Sequence, residues 1–277
     1  MRRISAIKIK EAVAELAGRA NFFLRKDVII ALRKAYAAEK NKRAKAILKA
    51  ILDNAAYAKK EKLAICQDTG MGIVFAQIGQ EVIIRGNLKA AINKGLACGY
   101  KRYSLRNSIV KDPLARGKSG FSPCITHTEI VKGNKIKLTL LAKGFGCENK
   151  SQLRMFKPTA KAEEIKEFII EAVKSAGPDA CPPYVVGVGI GGTADYAALL
   201  AKQSLLRKIQ TGPRQTANRF EKDLLMRINK LNIGPMGLGG SNTALAVHVQ
   251  TYPTHIAGLP VAVNISCHAL RSASVVL

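Results

Sequence analysis

Hydrophobic periodicity first changes near residue 60 of this chain, and that change excludes both a pure helical bundle and a pure β-sandwich. Before it, apolar residues recur at helical spacing: Ile9, Val13 and Leu16 first, then 28–38 behind Asp27 as a cap, then 42–58. After it, short apolar runs alternate with amphipathic stretches. Leu63-Ala64-Ile65 and Ile73-Val74-Phe75 read as strand-like pieces joined by the glycine-bearing turn Cys66-Gln67-Asp68-Thr69-Gly70-Met71-Gly72. Asn87 caps a helix running to about residue 100, 111–124 are loop-like, and 125–131 with 136–141 read as a hairpin turned at Lys132-Gly133-Asn134. An amphipathic helix at 162–176 precedes the apolar run Tyr184-Val185-Val186-Gly187-Val188-Gly189-Ile190. Helices at 194–209 and about 217–231 follow, with strand-like segments at 244–249 and 261–265. The expected class is mixed α/β (α+β): an N-terminal helical segment over 1–60, a first α/β lobe over 61–165 and a second over 166–277.

With 277 residues and 48% hydrophobic content the chain can bury a sizeable core. It has no apolar run of about 18 residues, so no membrane span is expected. The basic start, Met1-Arg2-Arg3-Ile4-Ser5, leads into an amphipathic pattern with Lys8, Lys10 and Glu11, unlike a secretory leader. Six cysteines without short, regular spacing fit a reducing compartment, and a cytoplasmic location is expected. The formal net charge of +26 raises nucleic-acid binding as a first idea. Against it, the basic residues are spread over the whole chain, aromatics make up only 5%, Trp is absent and no helix-turn-helix signature appears. No nucleic-acid partner is expected; a positive field of this kind also draws in dianionic small substrates or an acidic partner subunit.

The chemistry-bearing residues are scattered. Cys66, Cys181 in Cys181-Pro182-Pro183, and Cys267 in Asn264-Ile265-Ser266-Cys267-His268 are isolated from one another, which excludes the Cys-x-x-Cys spacing of zinc ribbons and redox pairs. Each sits in a turn or at a strand end, where three thiolates can be aimed at one centre, and three thiolates on a cubane leave one iron open as a Lewis acid. Asp68 lies two residues from the first. The string Gly187-Val188-Gly189-Ile190-Gly191-Gly192 satisfies a dinucleotide fingerprint formally, but no acidic residue follows about 20 residues on, where Gln210-Thr211-Gly212-Pro213-Arg214 stands. Close packing of a strand on a helix is the better expectation. A second cluster, Gly234-Pro235-Met236-Gly237-Leu238-Gly239-Gly240, lacks the Gly-Lys-Ser/Thr ending of a phosphate loop. Among the histidines, His127, His248 and His268 read as structural, whereas His255 lies in the loop Tyr252-Pro253-Thr254-His255, a setting that favours function. Cys98 reads as a small buried helix residue, and Cys124 and Cys147 as buried or neighbouring thiols.

Taken together, Ile65-Cys66-Gln67-Asp68-Thr69-Gly70, Gly144-Phe145-Gly146-Cys147-Glu148-Asn149, Cys181-Pro182-Pro183 with the following Val186 to Thr193, Gly234 to Gly240, and Leu259-Pro260-Val261-Ala262-Val263-Asn264 form an ordered series. This series resembles the alpha subunit of class I fumarate hydratase and of its relative L(+)-tartrate dehydratase, from about residue 7 onward. The resemblance implies a 4Fe-4S cluster on Cys66, Cys181 and Cys267. It implies substrate contacts from Gln67, Asp68, Gly146 and Arg106, the last within Leu105-Arg106-Asn107-Ser108-Ile109-Val110, and catalytic roles for Asp68 and His255. It also implies reversible hydration of fumarate to malate, or dehydration of L(+)-tartrate, in an enzyme completed by a beta subunit and assembled from two chains of each kind. Cys147 stands where that family commonly has Ser, and 116–122 lack its Asn-rich pattern. A nicotinamide dehydrogenase and a basic RNA-binding module are the more distant alternatives.

Overall fold

The computed structural model of the chain describes residues 2–210 and 219–277. In chain order it contains β1 (Arg2–Ser5), α1 (Ala6–Phe22), α2 (Lys26–Ala38), α3 (Lys42–Glu61), β2 (Met71–Gly79), β3 (Val82–Arg85), α4 (Leu88–Arg102), β4 (Ile109–Asp112), β5 (Arg116–Gly120), β6 (Ile125–Val131) and β7 (Ile136–Lys143). There follow α5 (Phe145–Glu148), β8 (Gln152–Phe156), α6 (Ala162–Ala176), β9 (Tyr184–Gly191), α7 (Ala194–Ser204), α8 (Arg219–Asn229), β10 (Ala244–Tyr252), β11 (Leu259–Ser266) and β12 (Ser272–Val276). The class is mixed α/β, as expected. None of the described helices is long and apolar enough to cross a membrane.

The chain divides into two compact units that are interleaved in sequence. Residues 1–25, 55–145 and 271–277 form the first, and 26–54 with 146–270 form the second. This differs from the sequence expectation of 1–60, 61–165 and 166–277, because α1 packs with α4 and β7 whereas α2 packs with β10.

In the first unit a four-stranded sheet runs in the order β12-β7-β2-β6. Its core joins Ile9, Val13 and Leu16 of α1, Ile92 and Leu96 of α4, Val74 and Ile78 of β2, and Leu138 and Leu140 of β7. The predicted hairpin is replaced by a different pairing: both strands form, but β2 lies between them, parallel to β6 and antiparallel to β7. The reason is burial, since most of β2 is buried and a strand buried on both faces belongs inside a sheet. Leu63-Ala64-Ile65 forms no strand; the Ile65 N–H is used by the Asn21 carbonyl at 3.0 Å. The stretch 111–124 contains a short β4–β5 hairpin, whose turn is made by Asp112 accepting from the Leu114 and Ala115 N–H groups at 2.8 and 2.9 Å. Asn87 caps α4 as predicted, accepting from the Ala90 N–H at 2.8 Å.

In the second unit the sheet order is β10-β9-β11-β8, with β9 parallel to β10 and antiparallel to β11. Phe168, Ile169, Val173, Leu224 and Ile228 of α6 and α8 pack with Val186, Val188, Val247 and Val263 of the strands. Helix α7 packs on β9 and β11, and the fingerprint glycines explain how closely: a Cβ on Gly187 would lie 2.1 Å from the Ala201 carbonyl oxygen, and one on Gly189 2.0 Å from that of Ala197. They serve strand–helix packing. Asp27 lies in the first turn of α2, with its carboxylate accepting the Ile209 N–H at 2.8 Å. The helix expected over 194–209 stops at Ser204, and the one expected over 217–231 is described from Arg219 to Asn229. Residues 217 and 218 and the 211–214 string lie outside the described residues.

Candidate active site

The Cys66–Gly70 turn of the first unit is held by hydrogen bonds between side chains and the main chain. The Asp68 Oδ1 accepts from the Gly70 N–H at 2.9 Å, an Asx turn, and Oδ2 accepts from the Phe145 N–H at 2.8 Å. Both carboxylate oxygens are therefore fixed in direction while retaining lone pairs, and the side chain is half-buried. Behind it, the buried Tyr100 hydroxyl donates to the carbonyls of Thr69 at 2.9 Å and Gly70 at 3.1 Å. Burial pushes this phenol up to about 12, so it stays protonated and remains a donor. Arg271, 2% exposed, donates to the Asp68 carbonyl and, at 3.3 Å, to Asn21 Oδ1.

Cys66 is half-buried and lies 3.4 Å from the Gln67 Oε1, and Gln67 is exposed. Arg106 is tied to the same turn: its N–H donates to Thr69 Oγ1 at 3.0 Å, and its side chain is exposed. Cys66, Gln67, Asp68 and Arg106 thus share one turn and the segment bonded to it. Tyr100, Thr69 and Arg271 are additions that sequence inspection missed. Thr69 was adjacent to a suspected residue, whereas nothing around Arg271 marks its partner 203 residues away.

In the second unit, strand pairing brings two cysteine segments together. Val185 on β9 is opposite Ser266 on β11, so the residues preceding one strand and following the other are neighbours. His268 joins them, with its N–H and Nδ1 lying 3.4 and 3.1 Å from the Cys181 carbonyl oxygen; Nδ1 is the donor there. Cys147 sits between: its Sγ donates to the Ala180 carbonyl at 3.3 Å and accepts the Cys267 N–H at 3.1 Å. A serine hydroxyl can also donate and accept in this way. Gly146, just before it, belongs to the same corner, where an added Cβ would meet only the Asp179 carbonyl oxygen at 3.7 Å. Burial pushes the Tyr184 hydroxyl up, with Cys147, Cys181, Asp179 and Cys267 adding in the same direction.

His255 is elsewhere in this unit. Its turn precedes β11 and Cys267 follows it, and a strand of that length spans roughly 25 Å. The turn is well made: Thr254 donates to the Gly192 carbonyl at 2.9 Å, and the His255 Nδ1 accepts the Ala257 N–H at 3.2 Å, which leaves the proton of the neutral ring on Nε2. The histidines expected to be structural have such surroundings. His127 stacks on Phe75 with ring centroids 5.2 Å apart, and the buried His248 lies 3.1 Å from the Ser204 carbonyl oxygen.

Of the other cysteines, Cys98 is half-buried on α4, less enclosed than expected. Cys124 is buried against Asn93, its Sγ 3.2 Å from Oδ1, and burial raises its thiol. None of the six is in a disulfide. Among the described residues, no group of three or more His, Cys, Asp and Glu side chains is placed to hold a metal ion. Cys66 lies in the first unit, and Cys181 and Cys267 lie in the second.

The chain is thus mixed α/β, with one thiol beside a braced carboxylate and two more on paired strand ends. The chain is a member of the fumarate hydratase (fumerase) family, whose model matches residues 10–276, and this family comprises hydro-lyases. It is similar to the putative L(+)-tartrate dehydratase subunit alpha of Methanocaldococcus jannaschii, at 41% identity over 277 residues with 96% of each chain covered. It is also similar to the L(+)-tartrate dehydratase subunit alpha of Escherichia coli K12, at 28% identity over 269 residues, covering 95% of this chain and 89% of the relative.

Proposed function

We propose that this chain is the alpha subunit of an iron–sulfur hydro-lyase that reversibly hydrates fumarate to malate and is active only with a beta subunit. The observation that carries this is the Asp68 turn, in which a half-buried carboxylate is held by two N–H donors, beside Cys66 and the segment bearing Arg106. Dehydration of L(+)-tartrate is a second reading, favoured by the names of the relatives at 41% and 28% identity. Both substrates are four-carbon 2-hydroxy dicarboxylates or their dehydrated forms, so the same groups serve either.

Cys66, Cys181 and Cys267 would hold a 4Fe-4S cluster. The donor set fits: soft sulfur ligands, all half-buried, two of them on neighbouring strand ends. When bound, such a cluster supplies a Lewis acid that helps a substrate hydroxyl to depart. Cys147, buried and engaged with the Ala180 carbonyl and the Cys267 N–H, is a brace in this arrangement.

Hydration beside a carboxylate requires movement of a carbon-bound proton and stabilisation of the charge that develops. Asp68 moves the proton; its two main-chain donors hold the carboxylate in one orientation. Arg106 clamps a substrate carboxylate with its fork of donors, and Gln67 and the open main chain at Gly146 complete the contacts. His255 acts as a further acid–base group through Nε2, apart from the two thiols of its own unit.

The test is anaerobic co-expression with the beta chain, followed by iron and sulfide analysis and assays with fumarate, malate and L(+)-tartrate. A cluster-bearing complex that turns over fumarate is expected, and Cys181→Ser should lose the cluster. A complex that binds no iron overturns the proposal, and turnover of tartrate alone selects the second reading.

A further inference from the structure

Glu39 is a charged side chain only 4% exposed, at the corner between α2 and α3, and it has no place in the chemistry above. Its Oε1 accepts the N–H groups of Lys40 at 3.0 Å and Asn41 at 3.1 Å. Its Oε2 accepts the Ser241 N–H at 2.9 Å, the Ser241 hydroxyl at 3.0 Å and the Asn242 side-chain amide at 2.7 Å. All of these donors are neutral, so the buried charge is spread over hydrogen bonds in the way a main-chain nest holds an anion.

The loop that Glu39 grips needs an external hold. Gly234, Met236, Gly237, Gly239 and Gly240 all have positive φ, from 52° at Met236 to 111° at Gly240. A left-handed conformation at a residue with a side chain persists only where the surroundings impose it. From the middle of this loop the Met236 N–H donates to the Pro182 carbonyl at 2.9 Å. The residue before Pro182 is Cys181, itself left-handed at φ 56°. Cys181 is thus constrained from several sides: its own N–H bonds the Pro178 carbonyl at 3.0 Å, His268 holds its carbonyl, and the 234–242 loop holds the next one.

We propose that Glu39 is a positioning residue for Cys181, setting through the 234–242 loop the backbone conformation that aims this thiol for cluster capture. The purpose rests on the assignment of Cys181 as a ligand under Proposed function, whereas the hold of Glu39 on Cys181 is measurable without any cluster. The test uses the full-length chain freed of metal, as wild type, Glu39→Gln, Asn242→Ala and Ile169→Val, the last a control that loosens the α6 core. Alkylation by iodoacetamide is followed thiol by thiol by peptide mass spectrometry, with amide hydrogen exchange at Met236 as a second readout.

Cys181 should react about tenfold faster in Glu39→Gln and severalfold faster in Asn242→Ala, with Met236 exchange rising in step. Cys98 should keep its wild-type rate, and Ile169→Val should leave Cys181 unchanged. Wild-type Cys181 reactivity in Asn242→Ala overturns the proposal even where Glu39→Gln fails to fold, and equal acceleration in Ile169→Val overturns it as general loosening. Iron retention by Cys181→Ser, measured separately in the complex with the beta chain, overturns the ligand assignment instead and leaves the hold of Glu39 on Cys181 standing.

Discussion

Asp68 has both oxygens committed to main-chain donors, so replacement by Asn sets one NH2 group against an N–H and also removes the proton acceptor. Asp68→Asn is expected to lower turnover by about a thousandfold while the complex keeps its iron; substantial activity in the assembled variant would remove Asp68 from the mechanism. Tyr100→Phe strips the donor from the Thr69 and Gly70 carbonyls and should cost about 1–2 kcal/mol in a denaturation experiment. The same phenol gives a pH signature. Burial raises its folded value to about 12, so its stabilisation is complete below the ordinary tyrosine range and is lost as pH rises towards that value. A stability profile for Tyr100→Phe should be flatter over that alkaline window than the wild-type profile. Cys147→Ser should leave iron content unchanged, because a hydroxyl can take over both hydrogen bonds; loss of iron would make Cys147 a ligand. Cys66, Gln67 and Asp68 stand out as candidates because they adjoin in sequence. Tyr100 and Arg271 do not, since their partners are distant and a lone Tyr or Arg carries no local mark of burial.

Elements whose period matched their burial were legible. The helix predicted over 162–176 is α6, residue for residue, because one face is apolar throughout and Gly177 ends it. The short strands β1, β3 and β8 went unrecognised, being mostly exposed or half-buried and lacking a clear apolar alternation. Strands β6 and β7 were seen, but local sequence favours the shortest connection and says nothing of a third strand inserted between them. The fingerprint glycines carried a definite message of a different kind. Gly189→Ala places a methyl group 2.0 Å from the Ala197 carbonyl oxygen, which only a shift of α7 relieves. Destabilisation by roughly 2–3 kcal/mol is expected in a chemical-denaturation experiment, with no change in affinity for a dinucleotide.

For the whole molecule, the net charge of +26 is a property of the field and not of any one residue. A field of that sign concentrates dianions near the protein, so kcat/KM for the proposed dicarboxylate substrate should fall as ionic strength rises, with kcat little changed. An ionic-strength-independent kcat/KM would show that the charge serves something else. The order of contacts in space was not legible at this scale, because periodicity describes neighbours along the chain and the returns of residues 26–54 and 271–277 are set by distant packing. In the first unit β12 supplies the strand beside β7, pairing Ser272 with Leu141 through Val276 with Lys137. Synthesis therefore delivers the opening helix long before the strand that borders its sheet. A chain cut short before residue 271 leaves the outer side of β7 without its pairing strand, and faster cleavage by an added protease than in the full chain is the expected outcome.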